Sequence, residues 1–262
     1  FRMNIDHGAE LFQASLGIDL REILFPGERD RKKAAAAIAR QEIGRAAIFV
    51  VEYAMARLLM SWGIYPEALI GRGIGEYTAA CLSGVMTLNE MPAVFAHHHD
   101  ADAMKKIPLQ QPVIPIVSGI TGTWLTPQEA TDMAYWSRPW QETSHFSDGL
   151  NTLAISAHCV LLEAGPGCPL SARDGEGQDG PKTVMLSVFP KADEQCSARE
   201  TMLRAIGKMW LAGVQIDWEN FHSQEPGRRL PLPLYSFEKK RYWIPRASAG
   251  QIPQTGTIRF TD

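Results

Sequence analysis

The stretch ALIGRGIGEYTAACLSG, Ala68 to Gly84, constrains the fold more than any other part of the chain. EALIG (67–71) reads as a short buried strand, and residues 75–84 as a helix whose alanines let it pack closely on its neighbours. Between them Gly71, Gly73 and Gly75 stand at alternate positions. Glycine admits backbone conformations that other residues resist, so this spacing marks a sharp strand-to-helix corner. The spacing is not G-x-G-x-x-G and no acidic partner follows, which excludes a dinucleotide cradle.

Elsewhere the pattern alternates between strands and helices. Residues 1–30 read as short helical pieces, DHGAELFQASLG and DLREIL, closed by a turn at Pro26-Gly27. From about Ala34 to Trp62 one long helix is expected, because Ile48, Val51, Met55, Leu58, Leu59 and Trp62 recur every three or four residues. Phe49 and Val50 add a second apolar face, so this helix should be buried on several sides, and Gly63 and Pro66 end it. PVIPIVSG (112–119), HCVLLEAGPG (158–167) and TVMLSVF (183–189) read as further strands. Thr126-Pro127-Gln128-Glu129 is a capping box with proline at the first helical position, and Ser197 with Glu200 is a second, opening a helix to Leu211. Apolar strands alternating with helices predict an α/β domain with a mostly parallel sheet. RDGEGQDGPK (173–182) is the best boundary, and the proline- and aromatic-rich remainder to Pro245 is expected to lie extended on another surface. There are no internal repeats.

With 262 residues and 45% apolar residues, the chain can bury a core without staples. A formal charge of -3 gives no reason to expect a nucleic-acid or membrane-surface partner. Cys81, Cys159, Cys168 and Cys196 form no C-x-x-C pair, which points to a reducing, cytoplasmic setting. The longest apolar run, AAIFVVEYAMARLLMSW, is interrupted by Glu52 and Arg57 and is too short and charged to span a bilayer. Phe1 opens mid-phrase and Asp262 closes a polar tail, so a longer parent chain is expected.

As chemistry, the corner matches the G-x-S-x-G elbow, which displays a serine nucleophile beside a helix N-terminus. Here the serine's place is taken by Gly73, and without a hydroxyl no covalent acyl intermediate forms. Cys81 and Ser83 lie a turn or more into the helix and read as packing. His97-His98-His99 reads as a solvated loop with Asp100 and Asp102, because consecutive residues do not converge on one metal ion. Arg72, beside the helix N-terminus, is the candidate for binding a phosphate or carboxylate. The basic-aromatic run RR…EKKRYW reads as a docking segment rather than a nucleic-acid contact.

Several phrases together resemble the acyltransferase domain of modular type I polyketide synthases. They are FVVEYAMARLLMSWGIYPEALIGRGIGEYTAACLSGVMTL, PIVSGITGTWLTPQEATDMAYW, FSDGLNTL and LLEAGPGCPLS. WLAGVQIDWENF…RRLPLPLYSFEKKRYWI is similar to the linker that follows that domain and wraps back over it toward the ketosynthase. The resemblance implies a hydrolase-like, mostly parallel sheet flanked by helices, with a C-terminal wrapping linker.

It also implies losses. The family's elbow serine matches Gly73, the preceding histidine matches Arg72, and an oxyanion glutamine falls near Arg45. His99 is the best match to the catalytic histidine, with His97 and His98 as alternatives. The usual N-terminal glycine-glutamine phrase is absent. The family's ferredoxin-like small subdomain needs on the order of 60 residues, and the stretch from Leu88 to Pro112 is too short to hold it or its carboxylate-pairing arginine.

The expectation is therefore a degenerate acyltransferase-like core (1–175), a post-acyltransferase linker (176–245) and a polar tail (246–262), with no catalytic residues, metal or cofactor. Implied partners are a ketosynthase or another neighbouring domain, and an acyl carrier protein is a further candidate. The alternative is altered chemistry near Arg72, such as slow thioester hydrolysis by water. A shortened and mutated working domain is a third reading, made unattractive by simultaneous changes at Arg45, Arg72 and Gly73.

Overall fold

The computed structural model describes residues 1–98, 100–138, 145–154, 159–167, 183–191, 196–223, 230–236 and 240. The chain divides into two units, Phe1–Glu225 and Pro226–Asp262.

The first unit opens with α1 (Arg2–Leu16) and α2 (Leu20–Leu24). The N-terminal region is thus one long helix and one short one rather than a series of pieces. Ile5, Gly8, Ala9 and Phe12 recur at helical spacing and are all buried, which sustains α1 until Gly17 closes it in the left-handed conformation. Then come α3 (Arg31–Ile38) and α4 (Gln41–Ser61). The single helix expected over 34–62 is broken at Arg40, whose backbone is extended. Gly44, in the first turns of α4, lies so close to the Ile38 carbonyl that a Cβ would fall 2.6 Å from its oxygen, so the break leaves no room for a side chain there.

Helix α4 is the spine. Its N-terminal part (Ile43, Ala46, Phe49, Val50, Ala54) enters one apolar cluster with Ile5, Phe12, Tyr77 and Trp136. Its C-terminal part (Met55, Leu59) enters a second with Leu186, Val188, Ile206 and Met209. Burial on several sides follows, as the sequence implies. Phe12, Phe49 and Phe95 meet edge-on or tilted at the centre of the first cluster, with centroids 5.2–6.0 Å apart.

Strand β1 (Leu69–Ile70) pairs in parallel with β2 (Ile116–Val117), in the register Leu69↔Ile116. Both are shorter than the apolar runs around them; Pro115 lacks a donor, and only its carbonyl serves the ladder, accepting from Leu69 N–H at 2.9 Å. Between them lie α5 (Ile74–Ser83), α6 (Met91–His97) and α7 (Ala101–Met104). Among the described residues from 88 to 112 there is no strand, so no ferredoxin-like sheet is built there.

Next come α8 (Pro127–Ala130), with the expected Thr126–Glu129 capping box, and α9 (Met133–Ser137). α10 (Phe146–Ala154) follows, and β3 (Val160–Glu163) then pairs in parallel with β4 (Val184–Ser187). Helix α11 (Ala198–Leu211) starts at Ser197, whose side chain accepts from Glu200 N–H at 3.1 Å. The Glu200 carboxylate turns to Arg204 at 2.7 Å, so only half of the second capping box forms. The unit closes with α12 (Trp218–His222). The result is an α/β fold in which every named strand pair is parallel.

The glycine-rich loop at 173–182 and the tail at 246–262 lie outside the described residues. In the second unit, residues 230–236 carry neither helix nor strand.

Candidate functional site

The corner is built as its sequence demands. β1 ends at Ile70, Gly71 and Arg72 follow, and α5 begins at Ile74 with Gly73 as its N-cap. Gly71 and Gly73 each have their own physical reason. Gly71 lies against the next turn, where a Cβ would fall 2.2 Å from Glu76 N. Its carbonyl faces Gly119, where a Cβ would lie 2.1 Å from the Gly71 oxygen. Gly73 has φ 56° and ψ −112°, and a Cβ there meets nothing within 4 Å.

Position 73 is therefore strained for any side chain yet spacious, which is how a corner displays a reactive group. Gly73→Ser is expected to lower stability by about 1–3 kcal/mol, the cost of the left-handed backbone alone. A urea titration measures it; a substantially larger loss would mean crowding that the geometry does not contain.

The underside of the corner is polar and buried. Glu76 accepts from the Gly119 N–H, and the Tyr135 hydroxyl lies 3.2 Å from its Oε2 and 2.7 Å from Ser118 Oγ. Burial drives the Glu76 carboxyl up to about 7, against the lowering effect of those hydrogen bonds. Glu52, on α4, sits behind the first turn of α5 and accepts from Thr78 Oγ1 at 2.8 Å. Burial raises it to about 7 as well, with Thr78 opposing. Its Oε1 also packs under the Gly165-Pro166-Gly167 loop, where a Cβ on Gly165 would lie 2.5 Å away. These two carboxyls bind the corner to β2, α9, α4 and the 165–167 loop. Sequence reasoning missed both roles; a charged residue inside an apolar helical run was the one signal available for Glu52.

Arg72 is exposed at the corner, and its carbonyl accepts from Gly75 N–H at 3.1 Å. Arg45 is half-buried near the start of α4, the helix packed against α5. His99 lies outside the described residues. Its neighbour His98 holds the Phe95 carbonyl through Nδ1 at 2.9 Å, and His97 is exposed at the end of α6. Asp100 is exposed and accepts from the N–H groups of Asp102 and Ala103, at 3.0 and 3.1 Å. Ser83 is buried and bonded to the Ala80 carbonyl at 3.1 Å, and burial pushes the Cys81 thiol up, so neither is displayed as a nucleophile. Among the described residues no group of three His, Cys, Asp or Glu side chains could hold a metal ion. Among them, too, no helix is long and apolar enough to cross a membrane.

No family model matches the chain. Among curated proteins it is similar to a component of the phenolphthiocerol/phthiocerol polyketide synthase of Mycobacterium tuberculosis. That match is 26% identical over 330 residues and covers 93% of this chain but 22% of the relative. It is also similar to the spectinabilin polyketide synthase system protein NorC of Streptomyces orinoci, 31% identical over 202 residues, 74% of this chain and 9% of the relative. The chain thus spans less than a quarter of the length of these relatives. Among solved structures it resembles the acyl transferase domain of ZmaA, with a TM-score of 0.80 and 25% identity over 88% of this chain and 73% of that one. The acyl transferase domain of SpnD follows with a TM-score of 0.67 and 27% identity, covering 81% of this chain and 70% of that one. By sequence the chain is similar to parts of curated polyketide synthases, and its fold is that of solved acyl transferase domains.

Proposed function

We propose that this chain is a catalytically silent acyltransferase-like domain of a polyketide synthase, a structural spacer or docking platform for neighbouring domains. The observation that carries this reading is Gly73. It occupies the displayed position of an intact corner, in open space, and offers no atom on which an acyl group can be held. The comparisons support it in a second way. The alignment with the mycobacterial relative runs over 330 residues, longer than this 262-residue chain, so the relative carries residues that this chain lacks. In this reading residues 1–175 are the degenerate core, 176–245 the post-acyltransferase linker and 246–262 the tail toward the next domain. Acyl units come from a separate enzyme, or the module needs none. Candidate partners are a ketosynthase, another neighbouring catalytic domain and an acyl carrier protein, in a cytoplasmic megasynthase.

Intact mass spectrometry tests the reading. The protein is incubated with malonyl-, methylmalonyl- and acetyl-CoA, with and without a holo acyl carrier protein. The expected result is no adduct on this chain and no transfer or hydrolysis above the protein-free control. A stoichiometric acyl adduct sinks the proposal. Thioester hydrolysis lost in Arg72→Ala sinks it too, in favour of an altered enzyme whose exposed Arg72 holds a carboxylate or phosphate of the substrate.

A further inference from the structure

Two faces of opposite charge flank α2. On one side three carboxylates share a single guanidinium: Arg21 lies 2.8 Å from Asp19, 3.6 Å from Asp6 and 3.7 Å from Glu10. Glu22, exposed on α2, adds a fourth carboxylate, so even with Arg2 one turn ahead of Asp6 this side is negative. On the other side, residues 31–40 hold Arg31, Lys32, Lys33 and Arg40 and no carboxylate. All four are exposed, and none forms an ion pair among the described residues. Helix α2 packs against both α1 and α3, so the two faces are neighbours. Phe25, the C-cap of α2, stands between them along the chain and is 62% exposed.

The cations of α3 do not serve the helix. Arg31, Lys32 and Lys33 fill its first turn, where no acidic residue stands. A helix N-terminus carries partial positive charge and favours anions, so three cations there work against α3. Glu28 and Asp30, just ahead of the helix, are exposed and pair with none of them among the described residues. A local rule broken without compensation points to a site that serves something else. Four cations in ten residues call for an acidic surface, and this chain presents one, a single helix away.

We propose that the chain pairs with a second copy of itself across a two-fold axis over α2, the α3 cations of each copy facing the α1–α2 carboxylates of the other. Neighbouring faces of opposite sign are self-complementary under such an axis. Each copy gives one face and receives the other, and the contact closes at two. The charges set the partner and its register. Phe25 lies near the axis and supplies an apolar centre inside the charged rim. The inference stands apart from the proposed function: acyl transfer can appear or fail without changing how two copies meet.

Sedimentation velocity on the whole chain tests it, at about 50 mM and about 500 mM salt. A concentration-dependent dimer is expected at the lower salt, with a dissociation constant about tenfold or more higher at the upper. Lys32→Glu combined with Lys33→Glu should weaken the dimer about tenfold or more. It should not lower the melting temperature, because anionic side chains suit that turn of the helix. Asp6→Lys combined with Glu10→Lys should weaken the dimer to a similar degree. An equimolar mixture of the two double variants should restore it, since each then meets the other through two opposed pairs of faces. A monomer at both salts overturns the proposal and leaves these faces to a neighbouring domain. Unchanged dimerisation in either double variant overturns it too, as does a mixture that stays monomeric. Assemblies that grow beyond two overturn the two-fold arrangement in favour of a head-to-tail one.

Discussion

Trp136→Ala is expected to lower unfolding stability by about 3–5 kcal/mol, the range for emptying a large aromatic site in a packed core. Trp136 has no exposed surface. Its Nε1–H donates to the Ala130 carbonyl at 2.9 Å, its carbonyl accepts from the Tyr77 hydroxyl, and its ring stands edge-on to Tyr135 at 4.9 Å. Tyr77 lies on the buried face of α5 next to Glu76, and Tyr135 reaches Glu76, so the cavity opens under the corner itself. Since domains are stable by about 5–15 kcal/mol in total, this one change removes about a fifth or more of that margin. Denaturant titration reads it as a lowered midpoint at unchanged slope. A loss below about 1 kcal/mol would show that the aromatic centre is not as tightly packed as its geometry states.

The second large effect is on pH. Glu52 and Glu76 are both raised from 4.5 to about 7, mainly by burial. The folded state therefore binds protons that the unfolded chain has released, and stability falls as pH rises between these values. It is full below about 4.5, declines from there to about 7, and is level beyond. Each carboxyl contributes about 3 kcal/mol to that decline, at 1.36 kcal/mol per unit. Asp19, Asp100, Glu129 and Glu200 act in the opposite sense. Hydrogen bonds hold them below their ordinary range, so their contribution is lost as pH falls. Stability should peak in mildly acid solution, near the point where the two sets cross.

Glu52→Gln separates the causes. The amide keeps an oxygen for Thr78 Oγ1 and cannot ionise, so the variant should show a flatter decline between pH 5 and 8 and exceed the parent at pH 8. Melting temperatures across that range measure it. An identical slope in parent and variant would show that Glu52 does not titrate in the fold.

Much of the local structure was legible because it is local. The Thr126–Glu129 box, the Ser197 cap and the multi-sided burial of α4 follow from residues a few positions apart. The corner was legible for the same reason: alternating glycines between an apolar strand and an alanine-rich helix leave few alternatives. The break between α3 and α4 was not, because helical propensity runs straight through Ala39 to the extended Arg40, and the close fit of Gly44 against the Ile38 carbonyl shows only in the fold. The halving of the Ser197–Glu200 box was not either, since Arg204 competes for the same carboxylate. At the candidate site the residues at the corner could be named in advance. Its supports could not: Glu76 meets Gly119 from 43 positions away and Tyr135 from 59.

The sequence by itself determined that position 73 has no side chain, that Arg72 stands beside it, and that too few residues follow Leu88 to build another sheet before Pro112. These are matters of composition and length, and no packing can change them. Only the tertiary structure decided that the strand-to-helix corner is kept, with Gly73 at positive φ as the cap of α5, and that two carboxyls are buried beneath it. Those depend on which distant backbones approach one another. Burial and close contact arise from the sum of all packing, so no short stretch of the chain encodes them.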